Sequence, residues 1–182
     1  MPAIHLIRAG LESGEWTPQL EPLDWLSAVL ARVFRTSCRV RMDVIDAAFA
    51  FSPPRNQYHS TAILQAMQPL CAGSGVRLLA VTECDLFVPV LTFVFGEAQL
   101  EGGCALVSTS RLREEFYGMA PNEELLRERL LKEAVHELGH TFGLRHCGDW
   151  RCAMASTHAV ERLDLKEPAF CSACARIVRN GS

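Results

Sequence analysis

The chain has 182 residues, enough for one well-buried core and short for two at the roughly 100–150 residues of a typical domain. Its 18 basic and 21 acidic side chains leave a formal charge of −3 with no basic run of the kind that neutralises phosphates, which argues against nucleic acid as a partner. A hydrophobic share of 49% excludes a disordered chain.

The start, MPAIHLIRAG, has only a short apolar stretch interrupted by His5 and Arg8, less than an export signal requires. The longest near-apolar run, LFVPVLTFVF (86–95), is about half the ~20 residues of a membrane span and contains a proline, so no membrane association is expected. The expected location is cytoplasmic. In that reducing setting the eight cysteines suit metal binding better than disulfides.

Taken in chain order, AIHLIRA (3–9) reads as a strand and PLDWLSAVLARVF (22–34) as a helix with Leu23, Leu26, Leu30 and Val33 on one face. CRVRMDVI (38–45) alternates Val40, Met42 and Val44 with polar neighbours, as a half-buried strand does. SPPRNQYHS (52–60) is a breaker-rich connection whose Ser60 is placed to cap a helix through TAILQAMQPL. After a Gly-Ser-Gly turn at 73–75, strands are expected at 76–82, 92–98 and 104–110, with the glycines at 102–103 turning the chain between the last two. A long helical pattern then covers 121–143, with Asn122 as N-cap and acidic residues in the first turn. The remaining 39 residues (144–182) are poor in strand signals and hold half the cysteines, so local metal explains their folding better than a large apolar core.

The run HELGHTFGLRHC (136–147) concentrates the chemistry. On a helix His136 and His140 lie about 40° apart and roughly 6 Å along the axis, so both can grip one ion. Glu137, about 100° round, can reach toward a metal-bound water without being a ligand. Leu131, Ala134, Val135, Leu138 and Phe142 form the opposite, buried face. A continued helix would carry His146 about 15 Å from His136, so the helix must stop. Gly143 is the residue that can reverse the chain in a left-handed conformation and return His146 to the same ion. Gly139 fits a close approach by neighbouring backbone. At average residue usage the five specified residues of this pattern would arise by chance in about one chain in 10⁵ of this length, which disfavours a mere polar patch.

A second set follows: Cys147-x4-Cys152-x-Met154, then CSAC with Cys171 and Cys174. Two short-spaced pairs have the arrangement of a closed, structural four-thiolate zinc site.

The pattern HExxHxxGxxH resembles the metzincin metallopeptidases, and its continuation as HC-x4-C-x-M with a later CxxC resembles the archaemetzincin family in particular. RNQYHS (55–60), FVFGEA (93–98) and STSRL (108–112) are also similar to family sequence. The resemblance implies an α/β (α+β), metzincin-like fold in a single catalytic domain spanning 1–182. A mixed twisted sheet with helices would form an N-terminal subdomain (1–143) that includes the active-site helix. A small zinc-stabilised C-terminal subdomain (144–182) would carry the methionine turn. It further implies two zinc ions per chain, one catalytic on His136, His140 and His146 and one structural on Cys147, Cys152, Cys171 and Cys174. Met154 matches the methionine-turn position beneath the imidazoles, and TFVFGEA would be the upper edge strand that receives an extended peptide.

Three neutral imidazoles leave zinc an open position for a water whose pKa falls toward about 7, with Glu137 as general base and then acid in peptide hydrolysis. The expected partner is a peptide or protein substrate, and the expected state a monomer. A zinc protein that binds peptides with little or no cleavage is the alternative, and hydrolysis of a non-peptide amide or ester is a third reading. Some metzincins place a tyrosine two residues beyond the methionine; Ser156 stands here, so no oxyanion donor is assigned. The only tyrosines, Tyr58 and Tyr117, have no local signal tying them to the metal. His158 is weighed as a cleft residue against an ordinary solvated histidine, with His5 and His59 weaker still. Cys38, Cys71, Cys84 and Cys104 are expected to be small core residues.

Overall fold

Residues 1–11, 21–73 and 75–180 are described by the computed structural model. In chain order the first half contains β1 (Ala3–Gly10), α1 (Glu21–Phe34), β2 (Cys38–Asp46), β3 (Phe51–Ser52), β4 (Gln57–His59) and α2 (Ser60–Cys71). The second half contains β5 (Val76–Thr82), β6 (Leu86–Phe87), β7 (Gly96–Ala98), β8 (Cys104–Ser108), α3 (Glu123–Thr141), α4 (Val160–Leu165) and α5 (Ser172–Asn180).

Strands covered on both faces read as near-continuous apolar runs, and β1, β5 and β8 do. They form the centre of a five-stranded sheet ordered β2-β1-β5-β8-β7, parallel except for the antiparallel last strand β7. Side chains alternate across it. Ile4, Leu6, Leu79, Val81, Ala105 and Val107 face α1 and α3, while Ile7, Ala9, Leu78, Ala80, Cys104 and Leu106 pack toward Ile63, Leu64 and Met67 of α2. A second sheet, β3-β4-β6, is small and also mixed. The expected α/β (α+β) architecture with a mixed sheet is therefore present. Among the described residues no helix is long and apolar enough to cross a membrane.

Helix α3 begins as its sequence requires, with Asn122 Oδ1 accepting from Leu125 N at 3.1 Å and Glu123 and Glu124 in the positive first turn. Its apolar back, Leu131, Ala134, Val135, Leu138 and Phe142, lies in the main core. The front is covered too. Arg129, Lys132 and Glu133 are buried because the segment after Gly143 folds over them and supplies partners: Asp164 for Arg129 at 2.7 Å, the Asp164 carbonyl for Lys132 at 3.0 Å and Lys166 for Glu133 at 3.3 Å.

Four local expectations need correction. Met42 and Val44 are 84% and 58% exposed rather than half-buried. β2 is the edge strand of the sheet, and two extra residues of it bulge out between the partners of Leu6 and Arg8, Val40 and Val44. Ser60 is the first residue of α2 and not its cap; its hydroxyl is engaged by the Phe87 carbonyl and the Glu97 carboxylate. The strand expected at 92–98 is ordered only over β7, because Val94 pairs with Leu86 of the small sheet before the chain joins β8. The turn before β8 places Glu101, not a glycine, in the left-handed region at φ 57°. Of the Gly-Ser-Gly turn, Gly73 and Gly75 have φ 68° and 64°, and Ser74 lies outside the described residues.

Candidate metal centre and cleft

A helix that ended later would scatter the three histidines. α3 ends at Thr141, and Gly143 at φ 86° reverses the chain, with Gly143 N and Leu144 N donating to the carbonyls of His140 and Gly139. His146 is thereby returned to the helix. The rings of His136, His140 and His146 lie with centroids 4.7, 5.3 and 5.2 Å apart.

Two of the imidazoles are oriented by backbone. His136 Nδ1 donates to the Ala153 carbonyl at 2.8 Å and His140 Nδ1 to the Leu144 carbonyl at 2.7 Å. A carbonyl only accepts, so each Nδ1 carries the proton and each Nε2 presents a lone pair. These two Nε2 atoms stand 3.2 Å apart. Two nitrogens bound tetrahedrally to one zinc at about 2.0–2.1 Å would be roughly 3.3 Å apart, so the donors fit that ion. Burial, first among the causes, lowers the pKa of all three histidines, and the Lys166 charge acts in the same direction. Both effects favour the neutral, ligating form.

The thiols make a second group. Cys147, Cys152, Cys171 and Cys174 bring one sulfur each within 4.8 Å of the others, and Cys147 Sγ lies 3.8 Å from Cys171 Sγ. Zinc–sulfur bonds of about 2.3 Å in a tetrahedron give a sulfur–sulfur separation of roughly 3.8 Å. Hydrogen bonding from the Cys174 backbone is the main cause that brings Cys171 down to about 7.

Gly139 fits its expected purpose with one change. The close neighbour is a side chain: a methyl group there would collide with Met154 Sδ and reach Met154 Cε at 3.2 Å. Met154 thus lies fully buried against the helix between His136 and His140.

The histidines open into a cleft of about 740 Å³ whose walls are the 91–98 segment and Ser156–His158. That volume suits a ligand pocket. Glu137 is buried at its floor, its pKa raised well above the usual carboxylate range by burial first and the Glu133 charge second, with Lys166 opposing. His158 lines the cleft, exposed, with Nε2 3.5 Å from Ser156 Oγ. Neither tyrosine lines it: Tyr58 packs on Phe51, and Tyr117 donates to the Arg111 carbonyl at 2.9 Å. His5 accepts from Arg39 at 2.9 Å and His59 stacks on Phe87, both away from the metal centre. Cys71 and Cys104 are core residues, while Cys38 and Cys84 are half-buried.

Sequence reading missed three residues here. Glu133 was legible, since it precedes Glu137 by four and so shares its helix stripe. Gly96 carried a signal as an isolated glycine in a strand pattern, and it abuts the Glu137 side chain. Lys166, 29 residues beyond Glu137 in the sequence, carried none.

A family model for Peptidase family M54 matches residues 39–180. The archaemetzincin of Methanocaldococcus jannaschii is 40% identical over 154 residues, covering 85% of this chain and 83% of that protein. Among solved structures, the archaemetzincin of Methanopyrus kandleri superimposes with a TM-score of 0.83 at 31% identity, covering 99% of this chain and 94% of the other. A zinc-dependent peptidase of Methanocorpusculum labreanum gives 0.83 at 30% identity, covering 96% and 99%. With its histidine triangle, thiol cluster and cleft in one fold of that kind, the chain belongs to peptidase family M54, the archaemetzincin family of zinc metallopeptidases.

Proposed function

We propose that the chain hydrolyses peptide bonds with Glu137 as general base and acid beside a zinc held by His136, His140 and His146. The observation that carries this reading is the 3.2 Å separation of the two lone-pair nitrogens on the helix that also carries Glu137. Zinc bound there supplies a Lewis acid that brings the pKa of a water toward about 7. Glu137 takes the proton of the attacking water and passes it to the nitrogen of the leaving amine as the C–N bond breaks. Burial raises the Glu137 carboxyl pKa above its usual range, the direction that makes it the stronger proton acceptor. The unpaired side of β7 lends backbone hydrogen bonds to an extended peptide.

A second, structural zinc on Cys147, Cys152, Cys171 and Cys174 closes the segment 144–182 as a subdomain distinct from 1–143. The sulfur spacing supports it. Thiols that serve as metal ligands suit a reducing, cytoplasmic setting.

The test is cleavage of a peptide library by the zinc-loaded protein and by its Glu137→Gln variant. Loss of about 10²–10⁴-fold in kcat with an unchanged fold is expected. Equal turnover would remove Glu137 from the mechanism, and retained peptide binding without any cleavage by the wild type would favour a peptide-binding protein.

A further inference from the structure

Glu133 and Lys166 form an ion pair that hydrolysis as described above does not use. Glu133 lies on α3 three, four and seven residues before His136, Glu137 and His140, hence on the same stripe. Lys166 follows α4, and both side chains are at least 96% buried. Lys166 Nζ donates to Glu133 Oε1 at 3.3 Å and to the Ala155 carbonyl at 3.1 Å.

Stability does not account for such a pair, because desolvation of both ions offsets most of their attraction and apolar side chains of the same volume serve as well. Direction does account for it. Hydrogen bonds have preferred bearings, whereas apolar contact has none. The bearings here converge on one short segment. The Ala153 carbonyl orients His136, the Met154 carbonyl accepts from Cys147 N, and the Ala155 carbonyl is held by Lys166 two residues before Thr157, which lines the cleft.

We propose that the Glu133–Lys166 pair is a positioning device, which locks the segment Ala153–Thr157 against α3 and thereby sets the aim of the His136 ring and the wall of the cleft. Its kinetic part rests on the proposed peptidase reading; its structural part does not. Neither residue is catalytic, since each acts through the segment it holds.

The experiment compares Glu133→Met, Lys166→Met and the double variant in the full, zinc-loaded chain. Each single change strands a buried charge and lowers the melting temperature by roughly 10 °C. The double change removes both charges at similar volume and recovers most of that loss. Its kcat nevertheless falls about tenfold or more with KM within about twofold, as expected for misaligned groups. It also shows faster amide exchange at Ala153–Thr157 and faster zinc loss to a chelator. Wild-type kcat together with wild-type exchange in the double variant overturns the proposal. A raised KM at unchanged kcat overturns it as well, by making Glu133 a substrate contact. Should the wild type cut no peptide, the exchange and chelator measurements still decide the positioning role, so the two readings fail separately.

Discussion

Replacing Gly96 by alanine introduces a methyl group where the structure has no room. Its carbon would stand 2.6 Å from the Leu106 carbonyl oxygen, 2.7 Å from Glu137 Cγ and 2.8 Å from Glu137 Oε1. Ordinary contact begins at 3.4 Å, so about 0.7 Å must be found toward Glu137. Leu106 sits in β8 at the buried centre of the sheet and is paired with Glu97 of β7, so it does not retreat easily. The displacement therefore falls on the Glu137 side chain and on β7. Since a misplacement of about 1 Å can reduce a rate 10²-fold, kcat should fall by roughly 10–10²-fold. Overpacking of this kind destabilises by about 1–3 kcal/mol, or roughly 2–12 °C in melting temperature for a chain of this size. Steady-state peptide cleavage and thermal melting measure both, with Gly148→Ala, where an added methyl meets nothing within 4 Å, as the control. A Gly96→Ala enzyme with wild-type kcat would refute the placement of Glu137 as the base whose position limits the rate.

Gly139→Ala sets a helix preference of about 1 kcal/mol for alanine against overpacking of about 1–3 kcal/mol on Met154, so a lower melting temperature is expected and a higher one would contradict the contact. Arg129→Met removes ion pairs to Glu114 and Asp164, both at 2.7 Å, and a bond to the Leu112 carbonyl. Because those carboxylates retain partial access to water, the loss should lie near the low end of the range for broken buried pairs, about 2–3 kcal/mol by calorimetry. Cys171→Ser should lower both zinc content and melting temperature, because structural zinc contributes folding free energy directly. It should also weaken the remaining ion, since Cys147 of the same site adjoins His146; metal analysis showing full, independent occupancy would exclude the coupling.

The parts of this fold that were legible are those set by local pattern. The runs of β1, β5 and β8 are apolar on both faces, the period of α3 is helical, and the spacing of its histidines follows from 3.6 residues per turn. Gly143 was legible because a third ligand downstream demands a helix stop. What was not legible depends on contacts distant in sequence. Met42 and Val44 are exposed on the edge strand, at and beyond a bulge against β1, and no period within β2 records either its edge position or the bulge. Phe93 and Val94 have strand-forming side chains, yet the chain there changes partner from β6 to β8. Lys132 and Lys166 would be placed at the surface by any hydropathy rule, yet each is buried with an acceptor about 30 residues away, the Asp164 carbonyl and the Glu133 carboxylate, besides the nearer Glu128 and Ala155.

The segment after Gly143 has two short helices and, among the described residues, no strand, so no ladder of backbone bonds fixes its path. Its first residue, Leu144, holds His140 Nδ1 through its carbonyl, and the path beyond decides where the other two imidazoles point. His146 is followed directly by Cys147, and Cys152 is followed directly by Ala153, whose carbonyl holds His136 Nδ1. Cys147 N in turn donates to the Met154 carbonyl at 2.9 Å, tying the two stretches together. Zinc bound by these cysteines, as proposed, would do for this segment what strand pairing does for β1, β5 and β8: a closed tetrahedral site converts a few short, directional bonds into a fixed frame. The α3 helix by itself positions His136, Glu137 and His140 on one stripe, but only a rigid partner surface can hold the third imidazole and the orienting carbonyl in register with them. With the thiols immediately beside those two groups, the frame that zinc would build lies within one residue of the atoms whose aim it would determine.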